Sequence, residues 1–162
     1  MRILVVSDTH GQSRELRKVI QKAKPFEYLI HCGDTEGLDA QIRAAAGCPC
    51  TIVRGNNDFY TDAPKEEILE FGKCRIFVTH GHHYGISMGT EHLREEAKKR
   101  GCSIALFGHT HRPCLDQSDP DLTVASPGSL AYPRQEGRAP SFLILEIDRF
   151  GEPHFTLNHL RC

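Results

Sequence analysis

The stretch Ile3-Leu4-Val5-Val6-Ser7-Asp8-Thr9-His10 sets the terms for the whole chain. Four apolar residues, three of them β-branched, predict a short buried strand. The run stops on a hydroxyl, a carboxylate and an imidazole. In α/β sheets, ligands bind beyond the carboxyl ends of the strands, so these side chains stand where a site would be.

The same grammar recurs at four other apolar runs. Residues 28–30 lead into His31-Cys32-Gly33-Asp34, and residues 51–53 into Arg54-Gly55-Asn56-Asn57-Asp58. Residues 75–78 lead into Thr79-His80-Gly81-His82-His83, and residues 104–107 into Gly108-His109-Thr110-His111. Between them, Leu16, Val19, Ile20 and Ala23 follow helical spacing and predict a helix over 13–24 with Ser13 as N-cap. A second helix over 38–46 ends at Gly47, and a third over 90–100 is capped by Thr90 and stopped by Gly101. Residues 68–71 and 75–79 pair around Gly72-Lys73; residues 122–125, 142–147 and 154–160 complete the strands. Strand–helix alternation followed by strands alone indicates an α/β fold whose first sheet is largely parallel. If the five strands share one sheet, their five turns meet at one edge.

Composition narrows the function. The chain has 162 residues, about one domain, and residues 1–162 are read as one. Its 20 Lys+Arg against 21 Asp+Glu give a net charge of -1, which excludes bulk attraction to nucleic acid or anionic lipid. No apolar run approaches the roughly 18 residues of a membrane span. The opening apolar run is too short for a signal peptide, so the expected compartment is the cytoplasm. The 7 cysteines form no regular framework and read as free thiols, with Cys32 an oxidation-sensitive one beside the site. The 10 histidines are an excess that needs explaining, since histidine is the commonest metal ligand. His31 reads as a strand end, and His92, His154 and His159 as ordinary histidines. Arg54, Arg112 and Arg134 read as surface arginines, the alternative being that they help hold an anionic substrate.

Oxygen and imidazole ligands together suit Mn, Fe, Zn, Ni or Co. Asp8 and His10 lie two residues apart, as do His109 and His111, so on an extended segment each pair points one way. Seven candidates (Asp8, His10, Asp34, Asn56, His80, His109 and His111) exceed the three or four protein ligands of a single zinc-type site. Two divalent ions ~3.5–4 Å apart are therefore expected. Asp34 and a shared water or hydroxide would bridge them, and the surplus positive charge would favour an anionic phosphate ester.

The ordered set Asp8-x-His10, Gly33-Asp34, Gly55-Asn56-x-Asp58, His80-Gly81-His82 and Gly108-His109-x-His111 resembles the calcineurin-like metallophosphoesterases, in particular their small single-domain bacterial and archaeal phosphodiesterases. The resemblance implies a four-layer αββα sandwich with mixed sheets. It assigns Asp8, His10 and His111 to one ion, Asn56, His80 and His109 to the other, and Asp34 to both. It implies two divalent ions, manganese first, and hydrolysis of small phosphodiesters by a hydroxide bridging them. A phosphomonoesterase is the near alternative. A non-catalytic protein-binding scaffold is the distant one, because a retromer subunit resembles this family.

One departure bears on catalysis. Many larger relatives carry a histidine after the ligand asparagine; here Asn57 stands there. An amide can donate to a phosphoryl oxygen but cannot deliver a proton. Asp58, which orients that histidine in relatives, remains. His82 becomes the candidate proton donor, the alternative being that it orients His80 or packs. The expected partner is a small phosphate ester, with no stable nucleic-acid complex and no membrane. An edge strand near the C-terminus offers a place for a homo-oligomer to pair. Substrate choice would fall to the loops at 60–65, 84–88 and 129–137, and Pro127-Gly128-Ser129 is expected as a tight turn near the metals.

Overall fold

Strand β1 (Arg2–Val6) divides its side chains between two cores. Ile3 and Val5 face one apolar cluster and Leu4 and Val6 another, and all four are fully buried. A strand covered on both faces has layers on both sides. The computed structural model describes residues 1–161. After β1 come α1 (Arg14–Ala23), β2 (Tyr28–His31), α2 (Asp39–Ala46), β3 (Cys50–Ile52), β4 (Glu66–Phe71) and β5 (Cys74–Thr79). Two short 3-10 turns, His82–Tyr84 and Ile86–Met88, precede α3 (Glu91–Lys99). The chain ends with β6 (Ile104–Leu106), β7 (Pro113–Asp119), β8 (Leu122–Pro127), β9 (Ser141–Ile147) and β10 (Pro153–His159).

The strands form two five-stranded sheets, ordered β10-β9-β1-β2-β3 and β4-β5-β6-β8-β7. Both are mixed. β1, β2 and β3 run parallel, as do β5, β6 and β8, while β9, β10, β4 and β7 pair antiparallel. The sheets pack face to face through Ile3, Val5 and Ile30 on one side and Ile76, Val78 and Leu106 on the other. Helices α1 and α2 cover the outer face of the first sheet with Leu16, Val19, Ile20 and Ile42. Helix α3 covers the second with Leu93 and Ala97 against Phe77 and Ala105. The result is the expected four-layer αββα sandwich.

Three expectations need correcting. The five ligand-bearing strands are not in one sheet: β1, β2 and β3 belong to the first, β5 and β6 to the second. The turns still meet, because both parallel sets point their carboxyl ends the same way across the interface. Ser13 and Thr90 sit at the helix starts but make no side-chain cap. In each helix an arginine four residues on takes the hydroxyl, Arg17 Nη2 to Ser13 Oγ at 3.0 Å and Arg94 Nε to Thr90 Oγ1 at 2.9 Å. Cys32 is completely buried, and burial pushes its thiol well up, so it is no reactive thiolate. Six cysteines, Cys32 included, are free among the described residues. No helix of the described residues is long and apolar enough to cross a membrane.

Candidate metal centre

The turns after the parallel strands are unusual in backbone as well as in side chain. Asp8, His10, Asp34, His109 and His111 all adopt positive φ, between 44° and 70°. Left-handed backbone costs a non-glycine residue ~1–3 kcal/mol and concentrates at functional sites. Five of the seven expected ligands are held this way, and the turn folds their side chains back over the strand ends.

Asp8, His10, Asp34 and His111 bring one ligand atom each to within 4.8 Å of one another. The hydrogen bonds behind the rings decide which nitrogen of each faces the others. His10 Nδ1 lies 2.7 Å from the Glu36 carboxylate and His111 Nδ1 lies 2.9 Å from the Tyr132 carbonyl. Both partners only accept, so both Nδ1 atoms carry hydrogen. The two Nε2 lone pairs then face each other at 3.1 Å. Asp8 Oδ2 accepts from Ser7 Oγ and from the His109 N–H, but Asp8 Oδ1 is buried with no hydrogen bond. It lies 3.2 Å from His111 Nε2 and 3.6 Å from His10 Nε2. Converging lone pairs of this kind need a cation or a proton among them. An oxygen and two imidazole nitrogens are a donor set that a first-row divalent ion accepts.

A second convergence lies alongside. His80 Nδ1 donates to the Cys32 carbonyl at 2.7 Å, leaving Nε2 to face Asn56 Oδ1 at 2.9 Å. His109 Nδ1 reaches the same Asn56 oxygen at 3.1 Å. Asp34 Oδ2 stands between the groups, 3.7 Å from His10 Nε2 and 3.4 Å from His80 Nε2. The structure thus gathers all seven expected ligands into two adjoining sets with one carboxylate common to both.

Charge is tuned around them. Burial would raise Asp8, but the imidazoles of His10, His111 and His80 close around it hold its carboxyl far below the usual range. Asp34 is held at about 2, where burial is outweighed by His80 and the Asn57 bonds. Burial would lower His10, yet Asp8 and Glu36 raise it to about 9. The two carboxylates are thus held as anions, and the positive charge they call for is met at His10 by a proton that a metal ion would have to displace.

The three residues expected to serve the chemistry are placed differently from one another. Asn57 donates its backbone N–H to Asp34 Oδ1 and its side-chain amide to Asp34 Oδ2, both at 2.9 Å, so its amide orients the shared carboxylate and is not free for a phosphoryl oxygen. Asp58 is buried and accepts from the backbone N–H groups of Asp34, Gly55 and Glu36, each at 2.8 Å. It staples two ligand turns together. His82 opens a 3-10 turn with its ring 5.4 Å from that of His80 and 6.1 Å from that of His109. Burial, then the neighbouring His83, His80 and His109, push it down to about 4. A ring so lowered is a poor acid at neutral pH, and with its Nδ1 buried without a hydrogen bond it packs edge-on against His80 and does not orient it through a bond. His31, read as a strand end, is fully buried and bonded to Thr9 Oγ1 and the Gly33 N–H.

Glu36, Tyr132 and Ser129 were not picked out individually, yet they fix ligand geometry. Ser129 Oγ donates to the Asp8 carbonyl at 2.9 Å, so the segment after β8 lies against the site as expected, but Pro127 ends the strand and Gly128-Ser129 form no tight turn. The Tyr132 ring stacks on His111 at 6.3 Å and 11°. A carboxylate or carbonyl behind each ligand histidine is a general requirement of metal sites, but sequence separation hides which residue supplies it.

Comparison with known proteins agrees with this geometry. A calcineurin-like phosphoesterase superfamily domain profile matches residues 1–149. A protein of Bacillus subtilis named as a probable metallophosphoesterase is 34% identical over 149 residues, covering 91% of this chain and 85% of its own length. A protein of Methanocaldococcus jannaschii named as a phosphodiesterase is 31% identical over 147 residues, covering 79% and 83%. Among solved structures, a predicted phosphoesterase of Streptococcus pneumoniae superposes with a TM-score of 0.79 at 27% identity, covering 97% of each chain. Vacuolar protein sorting 29 of Cryptosporidium parvum superposes with a TM-score of 0.76 at 16% identity, covering 98% and 97%, a likeness of fold alone.

Proposed function

The chain belongs to the calcineurin-like phosphoesterase superfamily, and from that premise we propose that it is a metal-dependent phosphodiesterase acting on small phosphodiesters. Asp8, His10 and His111 would hold one divalent ion, and Asn56, His80 and His109 a second, with Asp34 shared; manganese is the expected ion. Two such ions supply Lewis-acid polarisation of phosphoryl oxygens and water of lowered pKa. The chain's own part is positioning. Glu36 and the Tyr132 and Cys32 carbonyls fix the ring orientations of His10, His111 and His80. Asn57 holds the Asp34 carboxylate, and Asp58 holds the turn that carries it. With His82 neutral, esters whose leaving groups depart without a proton are the better substrates.

The observation that carries this reading is Asp34 Oδ2, placed within 4 Å of an imidazole nitrogen from each set. The test begins with chelator-stripped protein, resupplied with Mn, Ni, Co or Zn and assayed on a bis-aryl phosphodiester. Two ions per chain and metal-dependent turnover are expected. Asp34→Asn should lower both occupancy and turnover, by at least the roughly 10–100-fold that disturbing a group behind a metal ligand costs. Vigorous turnover with one ion per chain would remove the dinuclear part. Absence of turnover with every metal, beside tight binding of a protein, would favour the scaffold alternative.

A further inference from the structure

Beside the candidate centre lies a groove of about 610 Å³ lined by Arg112, Ala131, Tyr132, Pro133, Arg134 and Arg138. Three of its six lining residues are arginines and none is acidic. Arg112, Arg134 and Arg138 make no side-chain hydrogen bond or ion pair among the described residues, and Glu136 on the same loop pairs with none of them. Elsewhere in the chain, Arg2, Arg75, Arg94 and Arg100 are paired with carboxylates. Three exposed like charges gathered without a counter-charge make a local positive field that attracts an anion.

The loop that carries them is fastened to the centre. The Ala131 N–H donates to the Asp8 carbonyl at 3.2 Å, and the Arg134 N–H to the His111 carbonyl at 2.9 Å. Tyr132 accepts from His111 Nδ1 through its carbonyl, and its ring lies against His10 and His111. Arg138 itself holds positive φ, 45°. Arg112 follows His111 directly. The backbone that carries these arginines therefore keeps a fixed relation to the candidate centre, and their exposed side chains are free to reach an anion beside it.

We infer that this groove is an anion subsite for a second phosphate or similarly charged group on the substrate, selecting phosphate esters that carry negative charge beyond the scissile bond. Guanidinium forks match phosphate oxygens bidentately, and Tyr132 offers an aromatic wall to what links the two charges. The inference rests on the phosphodiesterase reading for its substrate, but the anion site itself can be tested apart from it.

Two measurements separate them. The first compares p-nitrophenyl phenyl phosphate with the matching ester whose phenyl ring carries a phosphonate. The unaltered protein should prefer the phosphonate ester, mainly through KM. In the Arg134→Ala/Arg138→Ala double variant the preference should fall about tenfold or more, the loss of charge-assisted hydrogen bonds to one anion, and Arg134→Lys/Arg138→Lys should restore part of it. The second titrates tripolyphosphate calorimetrically into chelator-treated protein; binding should weaken by the same order in the double Ala variant. Hydrolysis of both esters with equal efficiency, and a titration unchanged by the substitutions, overturns the subsite. Failure to hydrolyse either ester, with arginine-dependent tripolyphosphate binding intact, supports the subsite and removes the phosphodiesterase reading.

Discussion

Gly55 shows how little room the site leaves at single positions. A Cβ there would lie 2.1 Å from Asp34 Oδ1 and 2.4 Å from the Asp34 nitrogen, so backbone would have to move. Gly55→Ala should destabilise the fold by about 1–3 kcal/mol, as overpacking does, and weaken metal binding, read by thermal unfolding and metal titration. His31 carries a prediction of its own. Burial pushes it from 6.5 to about 4, and its Nε2–H donates to Thr9 while Nδ1 accepts from Gly33. Between those values the unfolded chain takes up a proton that the folded chain refuses. The stability this neutral ring provides is full above pH 6.5 and drains as the pH falls towards 4, by on the order of 3 kcal/mol. His31→Gln should unfold more easily at neutral pH but show a shallower loss of stability between pH 6.5 and 4. The seven expected ligands were legible because each sits at the same place relative to an apolar run. Glu36 and the Tyr132 carbonyl were not, because their importance comes from partners 26 and 21 residues away.

At the scale of elements, apolar period revealed whatever is buried. The four buried residues of α1 are the four that the helical spacing picked, Leu16, Val19, Ile20 and Ala23. Strand β7 escaped notice because it reads Pro-Cys-Leu-Asp-Gln-Ser-Asp, with no apolar alternation after Leu115 and a register shift between Asp116 and Asp119. Which of the two sheets each ligand-bearing strand joins was not legible, because apolar runs in both sheets look alike. Between elements, Asp58 is the joint with the largest local effect. Asp58→Ala leaves the N–H groups of Asp34, Glu36 and Gly55 without their acceptor. It should cost about 3 kcal/mol in denaturant unfolding, with Asp58→Asn recovering a part.

Across the whole molecule, both sheets contribute to each proposed ion. Asp8, His10, Asp34 and Asn56 follow strands of the first sheet; His80, His109 and His111 follow strands of the second. Loading with metal at about 100 times its dissociation constant should add about 2.7 kcal/mol to stability, raising the melting temperature by several degrees; a chelator should reverse it.

Each proposed ion would draw ligands from both sides of the sandwich, so it would work as a rivet through two plates. The amide protons of β1 and β6, far apart in sequence and in different sheets, should then become slower to exchange with solvent together, in a single step, as metal is supplied. The centre would report on the integrity of the layered body as much as on its own occupancy.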